Sequence, residues 1–180
     1  MTREQETVAE WSGWDGSGHE VLTLGWESGG WTADGVVRGV DVHYVVRVDE
    51  RWRLRQFLLF RDLPDPDLWL GVDPAGRWGE INGVRRPELD RCTDVDLACT
   101  PFTNTLPIRR LRIEVGDSAD LLVARVDHET LEVRAERQRY TRLALQRWRY
   151  EDESGFGTDL EVDENGLVLD YPGLFRRLAS

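Results

Sequence analysis

Alternating apolar and polar positions dominate the chain and indicate β-strands. Apolar side chains occupy every second position from 40 to 48, and the same period of two is found from 52 to 60. The residues between these two runs, Asp49-Glu50-Arg51, are typical of a hairpin turn. Further short runs bounded by turn residues follow at 68–72, 111–115, 121–126, 156–162 and 167–171. Many short strands with regular turns favour a sandwich, a barrel or a roll over a helical fold.

Two stretches leave room for helix. Residues 138–150 have fair helix propensity, but they continue the alternation that begins at Leu131, so we predict one long strand from Leu131 to Tyr150. Pro172 suits the first turn of a helix, and Leu174, Phe175 and Leu178 would share one face, so we predict a short helix over 172–179. The chain shows no repeat or linker, and we expect one domain over residues 1–180.

The charge balance argues against a nucleic-acid partner. The formal net charge is −11, and the 23 basic residues are all arginine. Proteins that bind nucleic acids gain affinity from a basic surface, so we expect no DNA or RNA binding. An arginine-only chain also suits paired sites, because a guanidinium keeps its charge when it is buried and meets a carboxylate in a bidentate fork.

The chain carries neither a membrane-span pattern nor a signal-peptide pattern. No apolar run approaches the roughly 20 residues that a transmembrane helix needs, and the first residues are polar and acidic. We therefore expect a cytoplasmic protein with no transmembrane segment. In that compartment Cys92 and Cys99 are expected to be reduced and to serve as small apolar side chains.

Two carboxylates lie two residues apart in a segment that we expect to be extended. If residues 94–97 form a strand, Asp94 and Asp96 share one face. Such a pair is compatible with acid/base chemistry. It is equally compatible with a solvent-facing surface or with a structural site paired to arginine, and the sequence leaves these alternatives open.

A polar loop follows, bracketed by Pro101 and Pro107. Its hydroxyl and amide groups, including Thr103 and Asn104, could hydrogen-bond to sugar hydroxyls. They could also satisfy their own backbone, as Thr and Asn side chains do in turns.

Arginine residues fall on apolar strand faces at two places. In an extended run Arg109 shares a face with Leu111 and Ile113, and Arg139 is in phase with Val133. A buried arginine costs several kcal/mol unless it is paired. Either these arginines pair with acids such as Asp94 and Asp96, or they line a cavity and meet the polar end of a ligand.

Aromatic residues are abundant near the start of the chain. Of eight tryptophans, Trp11, Trp14, Trp26 and Trp31 lie in a glycine-rich segment. Exposed rings would suit contact with a sugar or an acyl chain, and buried rings would serve packing.

The central motif resembles a known family. The residues Cys92-Thr93-Asp94-Val95-Asp96-Leu97 and the run from Thr100 to Leu111 are similar to the signature of the bacterial putative glycolipid-binding family, a former domain of unknown function. Shorter matches include Gly76-Arg77-Trp78, Gln138-Arg139-Tyr140 and Tyr171-Pro172. The resemblance covers nearly the whole chain. It implies a mainly β fold, a single antiparallel spiral β-roll or half-open barrel-like sheet with one or two short helices including the C-terminus, similar to carriers that hold acyl chains.

The resemblance and the residues together favour a binding protein. We expect a small amphiphilic ligand, a glycolipid or an acyl chain, to lie in a cavity of the rolled sheet. The expected ligand-binding residues are Asp94, Asp96, Thr103, Asn104, Arg109, Arg110, Arg139 and Tyr140. The alternative is an enzyme that acts on a small amphiphilic or sugar-like molecule, with Asp94 or Asp96 as acid/base. A plainer alternative is an interaction module whose cavity is only core. The chain contains no nucleophile motif and no cofactor or metal pattern, so we expect neither cofactor nor metal and assign no catalytic residue.

Overall fold

A computed structural model describes residues 6–62 and 64–179 of the chain. Within those ranges the fold is mainly β, as predicted, with a single short α-helix. The strands are β1 (Glu6–Gly13), β2 (His19–Glu27), β3 (Gly30–Arg38), β4 (Val42–Asp49), β5 (Leu54–Phe60), β6 (Leu68–Val72), β7 (Trp78–Glu80), β8 (Asp94–Leu97), β9 (Ser118–Val126), β10 (Val133–Ala144), β11 (Arg147–Asp152), β12 (Gly157–Val162), β13 (Val168–Tyr171) and β14 (Phe175–Arg177). The helix α1 spans Thr105–Arg110, and 3-10 turns occur at Pro87–Leu89 and Phe102–Asn104.

All the described strands belong to one 14-stranded sheet, in the order β7-β6-β5-β4-β3-β2-β1-β14-β13-β12-β11-β10-β9-β8. Neighbouring strands are antiparallel except β8 and β9, which are parallel. The sheet is therefore mixed rather than purely antiparallel. Its last strand, β8, contacts β5 near the opposite edge. The sheet therefore rolls up without closing through hydrogen bonds among the described strands.

The chain's own central segment fills the interior of this roll. Residues 99–108 are all buried, and Phe102 and Leu106 belong to an apolar cluster that β1 to β6 also line. Ile108 belongs to a second cluster, formed with β9 to β13. Because close-packed side chains leave little empty volume, the interior of the roll is a core rather than an open acyl-chain cavity.

Strand β8 separates the two clusters and explains where its carboxylates lie. Val95 and Leu97 pack into the first cluster. Asp94 and Asp96 therefore face the other side, opposite Val123 and Arg125 of β9 in the parallel register. All four residues of β8 are buried, so the predicted strand is confirmed and its polar face is an interior one.

Several predicted elements are confirmed, and the long strand is wrong. The predicted runs at 40–48 and 52–60 correspond to β4 and β5, which pair across the expected turn. The single strand from Leu131 to Tyr150 is instead the hairpin β10–β11. The turn between them includes Leu145, which is 76% exposed. Because this turn residue is apolar, the alternation of apolar and polar positions continues through the turn and predicts no strand end there.

The predicted strand at 111–115 and the predicted C-terminal helix are also wrong. The chain is helical up to Arg110 and irregular over 111–114. Pro107 is tolerated because it lies in the first turn of α1, where a backbone N–H has no intrahelical acceptor. At the C-terminus Gly173 adopts a left-handed φ of 82°. The resulting turn lets β14 pair with both β13 and β1, and these hydrogen bonds outweigh the helical pattern. Among the described residues no helix is long and apolar enough to cross a bilayer.

Candidate functional site

Asp94 is bound by arginine, but not by the arginine that strand phase predicted. The Arg110 guanidinium donates from Nε to Oδ1 at 3.1 Å and from a terminal nitrogen to Oδ2 at 2.5 Å. Thr93 donates its hydroxyl to the same Oδ2 at 2.7 Å. Asp94 is fully buried, so this bidentate pair meets the requirement that a buried carboxylate be paired.

Asp96 lies at the centre of a second buried network. Arg125 donates to its Oδ2 at 2.5 Å, and the Gln138 side-chain amide donates to the same oxygen at 2.7 Å. The Thr103 hydroxyl donates to Oδ1 at 3.0 Å. Both carboxylates therefore hold hydrogen bonds on each oxygen, as a structural ion pair does, and neither presents a free oxygen as a general base requires.

Asn104 and Tyr140 meet beside this network. The Asn104 amide donates to the Tyr140 hydroxyl at 2.8 Å, and both residues are buried. Burial raises the pKa of Tyr140 well above its ordinary value. The structure thus brings six of the expected site residues to the interior: Asp94, Asp96, Thr103, Asn104, Arg110 and Tyr140.

The expectation that Arg109 and Arg139 point inward is wrong. Arg109 lies on α1 with its guanidinium 5.1 Å from the Trp52 ring centroid. Arg139 lies on the outer face of the sheet and pairs with Asp120 at 2.8 and 3.0 Å. Consecutive residues of a helix turn by about 100°, so a phase taken from a strand misassigns Arg109. On β10 the inward positions are Glu136, Gln138 and Tyr140.

Sequence reasoning missed a buried glutamate. Glu20 is 2% exposed and lies on β2 in phase with the buried Leu22 and Leu24. That polar position in an apolar phase was a signal that could have found it. Tyr44 donates to Glu20 Oε1 at 2.5 Å, and Thr100 donates to the same oxygen at 2.7 Å. Glu20 Oε2 has no hydrogen-bond partner among the described residues.

A glycine makes room for this arrangement. Gly35 of β3 is the cross-strand neighbour of Tyr44, and a Cβ at position 35 would overlap the Tyr44 ring. The tyrosine therefore lies over the bare backbone of Gly35 and reaches Glu20.

Replacing Gly35 by alanine is expected to lower the free energy of unfolding by about 1–3 kcal/mol, because the fully buried Tyr44 ring must move. Denaturant unfolding measures the change. Gly25→Ala is the matched control, since Gly25 lies on the neighbouring strand with open space around its Cβ position. Equal effects of the two substitutions would contradict this packing.

A groove lies beside Glu20, where β1 ends, β2 begins and β3 ends. Its volume is about 610 Å³, within the range of small-molecule sites. The buried side chains that line it are Trp11, Glu20, Val37 and Cys99, and the exposed apolar ones are Trp14, Val40 and Leu174. We call this the Glu20 groove.

The Glu20 groove carries unusual polar atoms. His128 also lines it, and neither ring nitrogen of His128 has a partner among the described residues. Burial raises the pKa of Glu20 from 4.5 to about 7, although the bonds from Tyr44 and Thr100 oppose the shift. Burial, aided by the nearby Glu20, likewise raises the pKa of the Cys99 thiol to about 12. Cys99 and Cys92 are both free and buried.

A second, larger groove of about 730 Å³ is lined by charged side chains of both signs and by leucines. Its lining includes Arg110 and Arg139, together with two further arginines and four acidic residues. Opposite charges are therefore balanced there, and the apolar part of the lining consists of Leu111, Leu121 and Leu122. In the described parts of the chain no cluster of three or more His, Cys, Asp and Glu side chains is arranged to hold a metal ion.

The comparisons with known proteins agree with this architecture. A family model described as "Putative glycolipid-binding" matches residues 8–177. The chain belongs to this family. The crystal structure of a DUF1089 family protein from Pseudomonas aeruginosa is similar, with 32% identity and a TM-score of 0.70, and the match covers 99% of this chain and 94% of that chain. Comparison with curated proteins gave no match. The family assignment supports the resemblance that the central motif indicated.

Proposed function

We propose that this protein binds a small amphiphilic molecule in the Glu20 groove. The observation that carries the proposal is the unpartnered Oε2 of the buried Glu20 in the lining of an apolar groove. A buried polar atom without a hydrogen bond costs roughly 1–3 kcal/mol. A ligand that supplies the missing bond would recover that free energy on binding.

The apolar lining of the groove suits the apolar part of an amphiphilic ligand. Trp14, Val40 and Leu174 expose apolar surface around the buried floor. Burying such surface contributes about 25 cal/mol per Å². An alkyl or acyl chain along these side chains would therefore add affinity, and the description of the family is consistent with such a ligand.

This proposal moves the ligand away from the expected position. The interior of the roll is filled by residues 99–108, and the expected head-group residues Arg109 and Arg139 lie outside it. The acid/base alternative is weakened, because both Asp94 and Asp96 are already bound by arginine. The Glu20 groove combines apolar surface with a buried polar atom that has no hydrogen-bond partner among the described residues.

Trp14→Ala is expected to weaken binding of octyl glucoside by about tenfold, since losing roughly 55 Å² of buried apolar contact at about 25 cal/mol per Å² costs about 1.4 kcal/mol. Isothermal calorimetry below the micelle concentration measures the change. Trp26→Ala is the matched control, because Trp14 and Trp26 are each 37% exposed and Trp26 does not line the groove. Absence of saturable binding by wild-type protein, or equal loss in both variants, would refute the proposal.

A further inference from the structure

The floor of the Glu20 groove offers a carboxyl oxygen without a hydrogen-bond partner among the described residues, and the arginine that lines the groove, Arg38, is exposed. The two hydroxyls nearest Glu20, from Tyr44 and Thr100, both donate to Oε1. The Thr100 oxygen also accepts the backbone N–H of Phe102 at 3.0 Å, which holds its hydrogen on Glu20. The remaining oxygen, Oε2, is therefore left for an incoming group.

The guanidinium groups that contact the groove tryptophans, those of Arg176 and Arg177, do not line the groove. Arg176 lies 4.2 Å from the Trp14 ring centroid and Arg177 lies 4.9 Å from that of Trp11. Each also has an acidic neighbour, Asp170 at 3.9 Å and Asp163 at 3.7 Å. Arg38 lies on the exposed rim of the groove, where Asp15 also lies.

We infer that the Glu20 groove takes the polar end of its ligand at the floor and selects an uncharged, hydroxyl-bearing end over a carboxylate or phosphate. This inference rests on the proposed function. The apolar part of the ligand then lies against Trp14, Val40 and Leu174 at the rim. The ligand is therefore bound with its polar head group inward. A carrier that buries an acyl tail holds its ligand in the opposite orientation.

Hydrogen-bond chemistry gives the reason for this selection. A hydroxyl both donates and accepts, so it satisfies Glu20 Oε2 whether the acid is ionised or protonated. It also complements the two ring nitrogens of His128, which have no partner among the described residues, because it can bond to a nitrogen with or without a proton. At Glu20 an anionic head group can bond only to the protonated acid, and beside the ionised form it meets like charge. Arg38, the arginine in the groove lining, lies on the exposed rim, away from the floor.

A matched pair of ligands tests the inference. Octyl glucoside and octanoate both carry a chain of about eight carbons, counting the carboxyl carbon of octanoate. Their polar ends are an uncharged sugar and a carboxylate. At about pH 8, above the pKa of Glu20, we expect octyl glucoside to bind at least about tenfold more tightly. Equal or tighter binding of octanoate would overturn this inference and leave the proposed function intact. Failure of both ligands to bind would overturn both.

Glu20→Gln identifies the source of the selectivity. The amide removes the charge and adds a donor, so octanoate should gain affinity and the preference should fall to within about threefold. Glu161→Gln, an equal change of charge at an exposed position of β12, should keep the wild-type preference. An unchanged preference in Glu20→Gln would show that Glu20 does not select the ligand and would refute the inference.

Discussion

Replacing Arg110 by alanine is expected to lower the free energy of unfolding by about 3–5 kcal/mol, which is typical when one partner of a buried ion pair is removed. Asp94 would keep the Thr93 hydroxyl but lose both guanidinium bonds. Its side chain is 1% exposed, so water cannot replace them without local rearrangement. Denaturant unfolding followed by tryptophan fluorescence measures the loss.

The neighbouring arginine is the natural control. Arg109→Ala removes a contact with the Trp52 ring, which contributes under about 1 kcal/mol at a partly exposed site. Arg139→Ala removes an exposed pair with Asp120 and should leave stability unchanged within error. If Arg109→Ala were the damaging substitution and Arg110→Ala were silent, the arrangement of α1 against β8 would be wrong.

Stability is expected to fall between about pH 4.5 and pH 7 because of Glu20. Its pKa is about 7 in the folded protein against an ordinary value of 4.5. In that window the folded protein holds a proton that the unfolded chain has released, so raising the pH favours unfolding. The contribution is fully present below pH 4.5 and lost above pH 7. A shift of this size corresponds to roughly 3 kcal/mol.

Glu20→Gln isolates this contribution from those of the other carboxylates. The difference in unfolding free energy between Glu20→Gln and wild type should rise in favour of the variant as the pH increases from 4.5 to 7. Glu161→Gln supplies the baseline, because it removes a carboxylate at an exposed position. A difference that is flat across this window would mean that Glu20 titrates at its ordinary pKa, and hence that its carboxyl is hydrated.

The Asp94 and Asp96 networks and the Glu20 network have different roles in the molecule. The Asp94 and Asp96 networks tie β8, α1, β9 and β10 together inside the roll, where unpaired charges would be costly. The Glu20 network joins β2, β4 and the turn at Thr100 but leaves one oxygen open. The first arrangement stabilises the fold, and the second is the one from which we propose a binding function.

Local pattern was sufficient for much of the fold. Alternation and turn residues identified β4 and β5, the β8 strand and the two strands predicted at 156–162 and 167–171, because side-chain direction in a strand depends only on neighbouring residues. Pairing of Asp94 and Asp96 with arginine was one of the alternatives that the central motif left open, and the structure has it. Where an apolar tip or a short helix interrupted the period, as at Leu145 and Pro107, the same reasoning misjudged the element and its phase.

The partners of the buried charges were decided only by the tertiary structure. Glu20 and Thr100 are separated by 80 positions in the chain, and Asp96 meets Gln138 across 42. No local period encodes such a meeting, since it depends on how the sheet rolls and on which strand ends up at its edge. The sequence by itself determined a β-rich fold and the strand that carries Asp94 and Asp96. The tertiary structure decided that residues 99–108 fill the interior of the roll and that Glu20 is buried beside a groove. Burial of a residue depends on all the side chains packed around it, including those distant in the chain.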